Sequence, residues 1–404
     1  MNNMVVFFMP AGDVIKLQLE SVVQGGDALG FFNGKPVFVE GGAPDEAVVC
    51  RIKEDKKTYS KAGILEILKP SPVRVQSACS YSKCGGCNLG HINYSAQLKI
   101  KTSILNESFS RVGGFDLSSH NINIEIFSSP SREYRNRTQF HCFRRNKSGI
   151  GFKSIDNNEI IAINDCPVAV SGIREALGNG SIPIPPEKDR FTVFSKDDVL
   201  LREGGVSRGK INLSDKEIIL DAGLFFQSNC VMLEILISKL RDIAKNADPS
   251  LPMADLYCGV GVFALFLGDM FPSLILAEEN KAAISIAREN LRGKKAEFFV
   301  LKDTDWQENI FKQREKFSLK SGVSGALGFA VVDPPRAGLS RGFALALSKN
   351  GPPLLAYVSC DAASLARDSK ILFSGGYRLD KLALFDFYPQ TSHIESLAVF
   401  SKRN

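Results

Sequence analysis

Apolar and polar residues follow two different rhythms along this chain. Over the first 70 residues apolar positions recur in short runs with a period near two. Examples are Val14 to Leu19, Lys35 to Val39, Ala47 to Ile52 and Ala62 to Ile67, separated by turns rich in glycine, proline and charge. About five short strands in so small a span predict a β-barrel of the OB type. Pro70-Ser71-Pro72 reads as a linker. A helical period follows from about Asn93 to Val112, with Tyr94, Leu98, Leu105, Phe109 and Val112 near one face and Gly113-Gly114 as its stop. Residues 122–215 read mostly as strands. From about 216, buried-type runs alternate with helical patterns: Met253 to Tyr257, Leu274 to Ala277, Glu297 to Val300, Gly328 to Val332 and Leu354 to Val358. Two further strands close the chain, Leu382 to Phe387 and Ser396 to Phe400. The alternation predicts an α/β fold with a doubly wound parallel sheet. The expected division is a barrel over 1–70, a β-rich central domain over 71–215 and an α/β domain over 216–404.

Composition adds constraints. With 404 residues, 44% hydrophobic and 23% charged, the chain is long enough for two or three domains with proper cores. No window approaches the length of an apolar membrane span, and Met1 to Pro10 lacks the basic start of a secretory leader. The expectation is a cytoplasmic enzyme. The net charge of +6 is concentrated: residues 71–150 hold eleven Lys/Arg against four Asp/Glu. Arg132, Arg135, Arg137, Arg144, Arg145 and Lys147 crowd one stretch, which suits contact with phosphates. Lys53, Lys56, Lys57 and Lys61 add positive charge to a hairpin-like loop of the barrel. Nine cysteines without an export signal argue for metal binding or catalysis over a disulfide framework.

Open α/β sheets place their chemistry beyond the carboxyl ends of their strands. Five such ends carry functional residue types. Asp255-Leu256-Tyr257-Cys258-Gly259-Val260-Gly261 forms a glycine-containing strand-to-helix turn, with Glu278 ending the next strand and Asp303 following the third. Glycines allow close approach to a ligand, and acids at these ends suit an ammonium group and a ribose diol, as in S-adenosylmethionine; nicotinamide sites use a similar acid. Asp333-Pro334-Pro335-Arg336 follows the fourth strand and offers a rigidly held acid. Cys360 ends the fifth, where a thiol is a candidate nucleophile. Separately, Cys79, Cys84 and Cys87 are spaced C-x4-C-x2-C, and Cys166-Pro167 comes later. That is an iron–sulfur pattern; four thiolates also suit zinc, and spacing alone does not decide.

Taken in order, Phe225-Phe226-Gln227-Ser228-Asn229, Asp255 to Gly261, Asp333 to Gly338, Val358-Ser359-Cys360 with Leu365-Ala366-Arg367-Asp368, and Pro389 to Glu395 resemble one family. It is the RNA uracil-C5 methyltransferases, in the branch with an N-terminal TRAM barrel and a [4Fe–4S] cluster. The resemblance spans essentially the whole chain. It implies that Gln227, Tyr257, Glu278 and Asp333 bind the methyl donor; Asp303, by its place after the third strand, is read as facing the adenine or as a solvated loop acid. It implies that Cys360 is the nucleophile and Glu395 the base, with His393 ranked below it. It further implies that Cys79, Cys84, Cys87 and Cys166 hold the cluster, that the 93–112 helix packs on the catalytic domain, and that the substrate is RNA: 23S ribosomal RNA first, transfer RNA as the alternative. A monomer with no obligate protein partner is expected. Two positions depart from the family's pattern: Val262 stands where Asn is common, and Asp361 where Asn-Pro commonly follows the cysteine. An acid there, pointing inward, disfavours thiolate. Two other readings are a methyltransferase acting on an exocyclic amine and a non-catalytic RNA-binding or assembly factor.

Overall fold

The computed structural model describes residues 9–144, 148–155, 159–306 and 327–402. Most of Met1 to Pro10, and Arg145 and Lys147 of the basic stretch, lie outside the described residues. The chain forms two compact units. The first comprises Met1–Ile104, Phe152–Ile161 and Tyr388–His393, and the second Leu105–Gly151, Ala162–Phe387 and Ile394–Asn404.

The first unit opens with a closed barrel of β1 (Val14–Val22), β2 (Ala28–Phe32), β3 (Lys35–Glu40), β4 (Ala47–Asp55) and β5 (Ser60–Lys69), in the order β1-β2-β3-β5-β4. The period-two pattern has its physical meaning here: Ile15, Leu17 and Leu19 of β1 point inward while the residues between them are exposed. The expected linker is tied down. Ser71 is buried, and its amide donates to Oε1 of Glu46 at 3.3 Å. Glu46 also binds the Arg74 guanidinium, which holds its carboxyl below the usual range despite burial. Helix α1 (Tyr94–Ser108) begins in this unit and ends in the second. It closes in a π-helical turn, Phe109–Gly113, with Gly114 left-handed at its end. In the second unit Gly113 packs against Ala366: a Cβ there would sit 3.2 Å from the Ala366 carbonyl oxygen.

The remaining strands are β6 (Ile124–Phe127), β7 (Arg137–Phe143), β8 (Gly149–Lys153), β9 (Ile160–Ala162), β10 (Arg190–Lys196), β11 (Val199–Arg202), β12 (Arg208–Leu213), β13 (Lys216–Asp221), β14 (Met253–Leu256), β15 (Leu274–Glu278), β16 (Ala296–Val300), β17 (Phe329–Val332), β18 (Leu354–Ser359), β19 (Tyr377–Phe385) and β20 (Glu395–Lys402). The helices after α1 are α2 (Ser171–Gly178), α3 (Cys230–Ala244), α4 (Val262–Leu267), α5 (Lys281–Asn290), α6 (Asp303–Trp306), α7 (Arg341–Asn350) and α8 (Ala362–Ser374). The central residues form a five-stranded sheet, β11-β10-β7-β8-β9, and a hairpin, β12-β13. Two of the basic residues are anchored inward: Arg137 donates to the Leu224 carbonyl and Arg144 to those of Pro185 and Lys188.

An eight-stranded sheet runs β16-β15-β14-β17-β18-β20-β19-β6. The first five strands are parallel, and β20 enters antiparallel between β18 and β19. Strand β6, from the region read as central, pairs in parallel with β19 at the edge. Helix α3 shows why its sequence is helical. Asn229 caps it by accepting from the Met232 amide at 3.1 Å, and Leu233, Leu236, Ile237 and Leu240 form a buried stripe. Burying each such side chain contributes about 1.5–3 kcal/mol. No helix among the described residues is long and apolar enough to cross a membrane.

Candidate active site

All of the strand-end acids, Gln227 and Cys360 lie in the second unit. The turn after β14 is shaped by backbone constraint. Tyr257 is left-handed at φ 61°, unusual for an aromatic residue, and Gly259 and Gly261 are left-handed too. At Gly261 a Cβ would stand 3.2 Å from the Cβ of Ala287, so the turn can close only on glycine. This geometry presents Asp255, Tyr257 and the Gly259 amide at the rim. The Gly259 amide donates to Oε2 of Glu278 at 3.2 Å, joining the ends of β14 and β15. The other Glu278 oxygen accepts from the Asn280 amide at 2.9 Å. The Tyr257 hydroxyl donates to Asp303 at 3.0 Å, and the same Asp303 oxygen accepts from the Ser340 amide at 2.9 Å. Asp303 therefore braces two loops. A cavity of about 460 Å³ opens past β15 and β16, lined by Glu279, Asn280, Val300, Leu301, Lys302 and Asp305.

Burial dominates the electrostatics. Asp255 is buried, with one carboxyl oxygen held by the Ala264 amide at 2.9 Å and the other without a hydrogen-bond partner. Desolvation, then the charge of Glu278, pushes it up to about 7. Asp333, fixed ahead of two prolines, accepts a long 3.4 Å hydrogen bond from Gln227 Nε2. Desolvation and the neighbouring Asp255 push its carboxyl up to about 7. The Gln227 carbonyl oxygen is buried and unpartnered. Buried polar atoms without partners are rare in folded proteins, and two at one rim fit a polar ligand.

Cys360 and Glu395 meet through sheet register. Strands β18 and β20 pair Val358 with Leu397 and Ser359 with Ser396; one further step along that register sets Cys360 opposite Glu395. Glu395 is buried, and desolvation followed by the charge of Asp333 raises its carboxyl far above the ordinary range, opposed by Arg336. Cys360 is half-buried. Desolvation, then Glu395 and Asp333, push its thiol up to about 12, again opposed by Arg336. Asp361 is the weakest of the influences on Cys360. Its carboxylate caps α8, accepting from the Ser364 amide at 2.8 Å. The acid beside the thiol thus starts a helix instead of facing the site.

Three groups here carried no role in the sequence reading. Trp306 is buried with its ring 4.5 Å from that of Tyr257. Arg336 supplies the charge that opposes the rise of both Cys360 and Glu395. Asp368, fully buried, accepts from the Leu339 amide and the Tyr357 hydroxyl, each at 2.8 Å, and pairs with Arg367. It locks the loop after Asp333 onto β18, and Gly338 is required there: a Cβ would fall 2.5 Å from the Asp368 carboxylate. Only the order Arg367-Asp368 within an otherwise apolar helix face signalled it.

The cysteine cluster is divided between the units: Cys79, Cys84 and Cys87 belong to the first and Cys166 to the second. These four are half-buried, whereas Cys50, Cys142, Cys230 and Cys258 are buried. The Cys84 segment is pinned to a neighbouring strand, with the Gly85 amide donating to the Lys153 carbonyl at 3.1 Å. Thiols left outside the core on irregular backbone are the right donors for a soft metal or a cluster. Among the described residues no three His, Cys, Asp or Glu side chains are drawn together as a formed metal site.

Residues 195–403 match the model of the tRNA (uracil-5-)-methyltransferase family, and residues 11–65 that of the TRAM domain. An RNA methyltransferase of Aquifex aeolicus (strain VF5), itself uncharacterized, is 31% identical, covering 96% of this chain and 99% of its own. A protein of Shewanella piezotolerans named 23S rRNA (uracil(1939)-C(5))-methyltransferase RlmD is 28% identical over 93% of each chain. Among solved structures, the Pyrococcus abyssi tRNA (uracil-54, C5)-methyltransferase in complex with S-adenosyl-L-homocysteine superposes with a TM-score of 0.71 at 23% identity, covering 96% of this chain and all of that one. It shares the fold.

Proposed function

This chain belongs to the tRNA (uracil-5-)-methyltransferase family, and on that premise we propose that it methylates carbon 5 of a uridine in 23S ribosomal RNA, using Cys360 and Glu395. The observation that carries the chemistry is the register that sets Cys360 opposite Glu395 at the rim where Asp333 and Gln227 lie. The ribosomal target rests on the names of relatives such as that of Shewanella piezotolerans.

Carbon 5 of uracil is too weak a nucleophile to take a methyl group directly. The Cys360 thiolate adds to carbon 6, and the electrons displaced onto the ring make carbon 5 nucleophilic. Carbon 5 attacks the methyl carbon of the sulfonium donor, the methyl–sulfur bond breaks with its electron pair left on sulfur, and the neutral thioether departs. Glu395 then accepts the carbon 5 proton, the ring electrons return, and the carbon–sulfur bond breaks to release Cys360. Asp333 and Asp255 are acids beside which a cationic donor is stabilised, and Gln227 has the unpartnered oxygen to receive its polar groups. Tyr257, Glu278 and Asp303 frame its nucleoside end beside the 460 Å³ cavity. The target base must leave its stack to reach the rim. Phe225, 63% exposed and two residues before Gln227, would stack on it, while Phe226 is core.

In the same proposal, Cys79, Cys84, Cys87 and Cys166 hold a [4Fe–4S] cluster, with zinc as the less favoured occupant. Their half-exposure and spacing support it. Bound there, it would brace an RNA-facing surface; methyl transfer needs no electrons. The proposed working division is a barrel (1–70), an RNA-binding central region (71–215) and the transfer domain (216–404), acting as a cytoplasmic monomer. The test is direct. RNA containing 5-fluorouracil should form a covalent adduct with the enzyme that Cys360→Ala abolishes, and 5-methyluridine mapping should place the product in 23S RNA. An undiminished adduct in Cys360→Ala would remove the mechanism; product in transfer RNA alone would replace the substrate.

A further inference from the structure

The segment Tyr388–His393, just ahead of Glu395, is held by an unusually expensive set of polar side chains within the first unit. Gln97 of α1 is fully buried and closes a reciprocal pair with Gln390. Its carbonyl oxygen accepts from the Gln390 amide at 2.8 Å, and its Nε2 donates to the Gln390 side-chain oxygen at 3.0 Å. Its Nε2 also donates to the Leu89 and Ile92 carbonyls. One helical turn on, Lys101 is fully buried too, and its Nζ donates to the Tyr388 carbonyl at 3.0 Å. Asn88 grips the other end: its Oδ1 accepts from the Ser392 amide at 2.9 Å, and its Nδ2 donates to Ser392 Oγ at 3.0 Å and to the Gly25 carbonyl of the barrel at 2.7 Å. The Leu89 amide donates to the Gln390 carbonyl at 2.9 Å.

A loop needing only stability would be better served by apolar packing than by buried polar side chains. This arrangement fixes position instead. Gln390 within it takes the left-handed region at φ 69°, uncommon for a non-glycine residue. Two residues beyond His393 the chain reaches Glu395. We propose that Asn88, Gln97 and Lys101 are positioning residues that set the placement of the Glu395 carboxyl, so that the turn after the Cys79–Cys87 segment controls the proton-removal step. The inference rests on Glu395 being the base.

The test separates the two. In the full-length protein, Gln97→Leu, Lys101→Met and Asn88→Ala are compared with Glu395→Gln, using uridine RNA tritiated at carbon 5 and labelled S-adenosylmethionine. A base displaced by about 1 Å loses on the order of 100-fold in its own step. Tritium release should therefore fall about tenfold to a hundredfold, while a methylated, denaturant-stable RNA–protein adduct accumulates as it does in Glu395→Gln, with donor affinity unchanged. A merely structural lesion would lower all steps together and accumulate nothing. Loss of activity without adduct, or wild-type tritium release, overturns the proposal. Should the buried substitutions fail to fold, Asn88→Ala, at a half-buried site, carries the same test. If Glu395→Gln accumulates no adduct, the base assignment fails and this inference with it.

Discussion

Donor binding should depend steeply on pH, and the protein contains its own probe of it. Asp333 and Asp255 are pushed up to about 7 in the ligand-free protein. On the proposed site a sulfonium donor needs them ionised, so binding must expel whatever protons they hold. With one proton lost, affinity at pH 6 is about tenfold weaker than at pH 8, about 1.4 kcal/mol; with two, the loss approaches a hundredfold. S-adenosylhomocysteine, lacking the sulfonium charge, should show the shallower slope. Trp306 is the only tryptophan, buried and edge-on to Tyr257 of the proposed donor rim, so its emission should report occupancy directly. Titrations at half-unit steps from pH 6 to 8 would give the slope. Asp333→Asn should flatten it and weaken S-adenosylmethionine more than the product. A flat profile for the unmodified protein, or an unchanged slope in Asp333→Asn, would refute the reasoning.

Further outcomes follow from neighbouring features. Both raised carboxyls bind protons more tightly folded than unfolded. Their contribution to ligand-free stability is full below about pH 4 and is lost as pH rises through about 7, which thermal melts across that window would show. Asp361→Asn keeps an acceptor for the Ser364 amide and should melt within about 0.5 kcal/mol of the parent, whereas Asp361→Ala should lose about 1 kcal/mol; equal losses would mean the carboxylate is not a cap. Asp368→Ala strands the Leu339 amide and the Tyr357 hydroxyl and should cost about 1–3 kcal/mol per group by denaturant titration. Anaerobically purified protein should carry iron and a broad visible absorbance, both lost in Cys84→Ser; metal analysis giving zinc instead would reassign the site.

What could be read from residue order was uneven, for physical reasons. The barrel and parallel sheet were legible because burial imposes period two on β1 and continuous apolar runs on β14, β17 and β18. Helix α2 was hidden: eight residues, no side-chain cap, in a region otherwise made of strands. Strand β6 was read with the central region because four residues give no clue to which sheet they will join. At the site, strand-end acids announced themselves by position. The role of Asp361 did not, because one side chain can face a thiol or cap a helix with the same neighbours in sequence. That β20 inserts beside β18 and so brings the chain at Cys360 and Glu395 together was not readable from residue order, since register between strands separated by β19 is a property of the folded sheet.

The place of β20 bears on how this protein is made. This strand lies inside the sheet, flanked by β18, which precedes it by two strands, on one side and by β19 on the other. Until it is synthesised, both neighbours present open hydrogen-bonding edges and the chain has no Glu395. A chain that stops short of it is therefore adhesive and, on the proposed mechanism, inert as well. Translational truncation just short of residue 395 should yield material that associates with chaperones or aggregates; if Glu395 is the base, quality control and onset of activity are tied to the same eight residues.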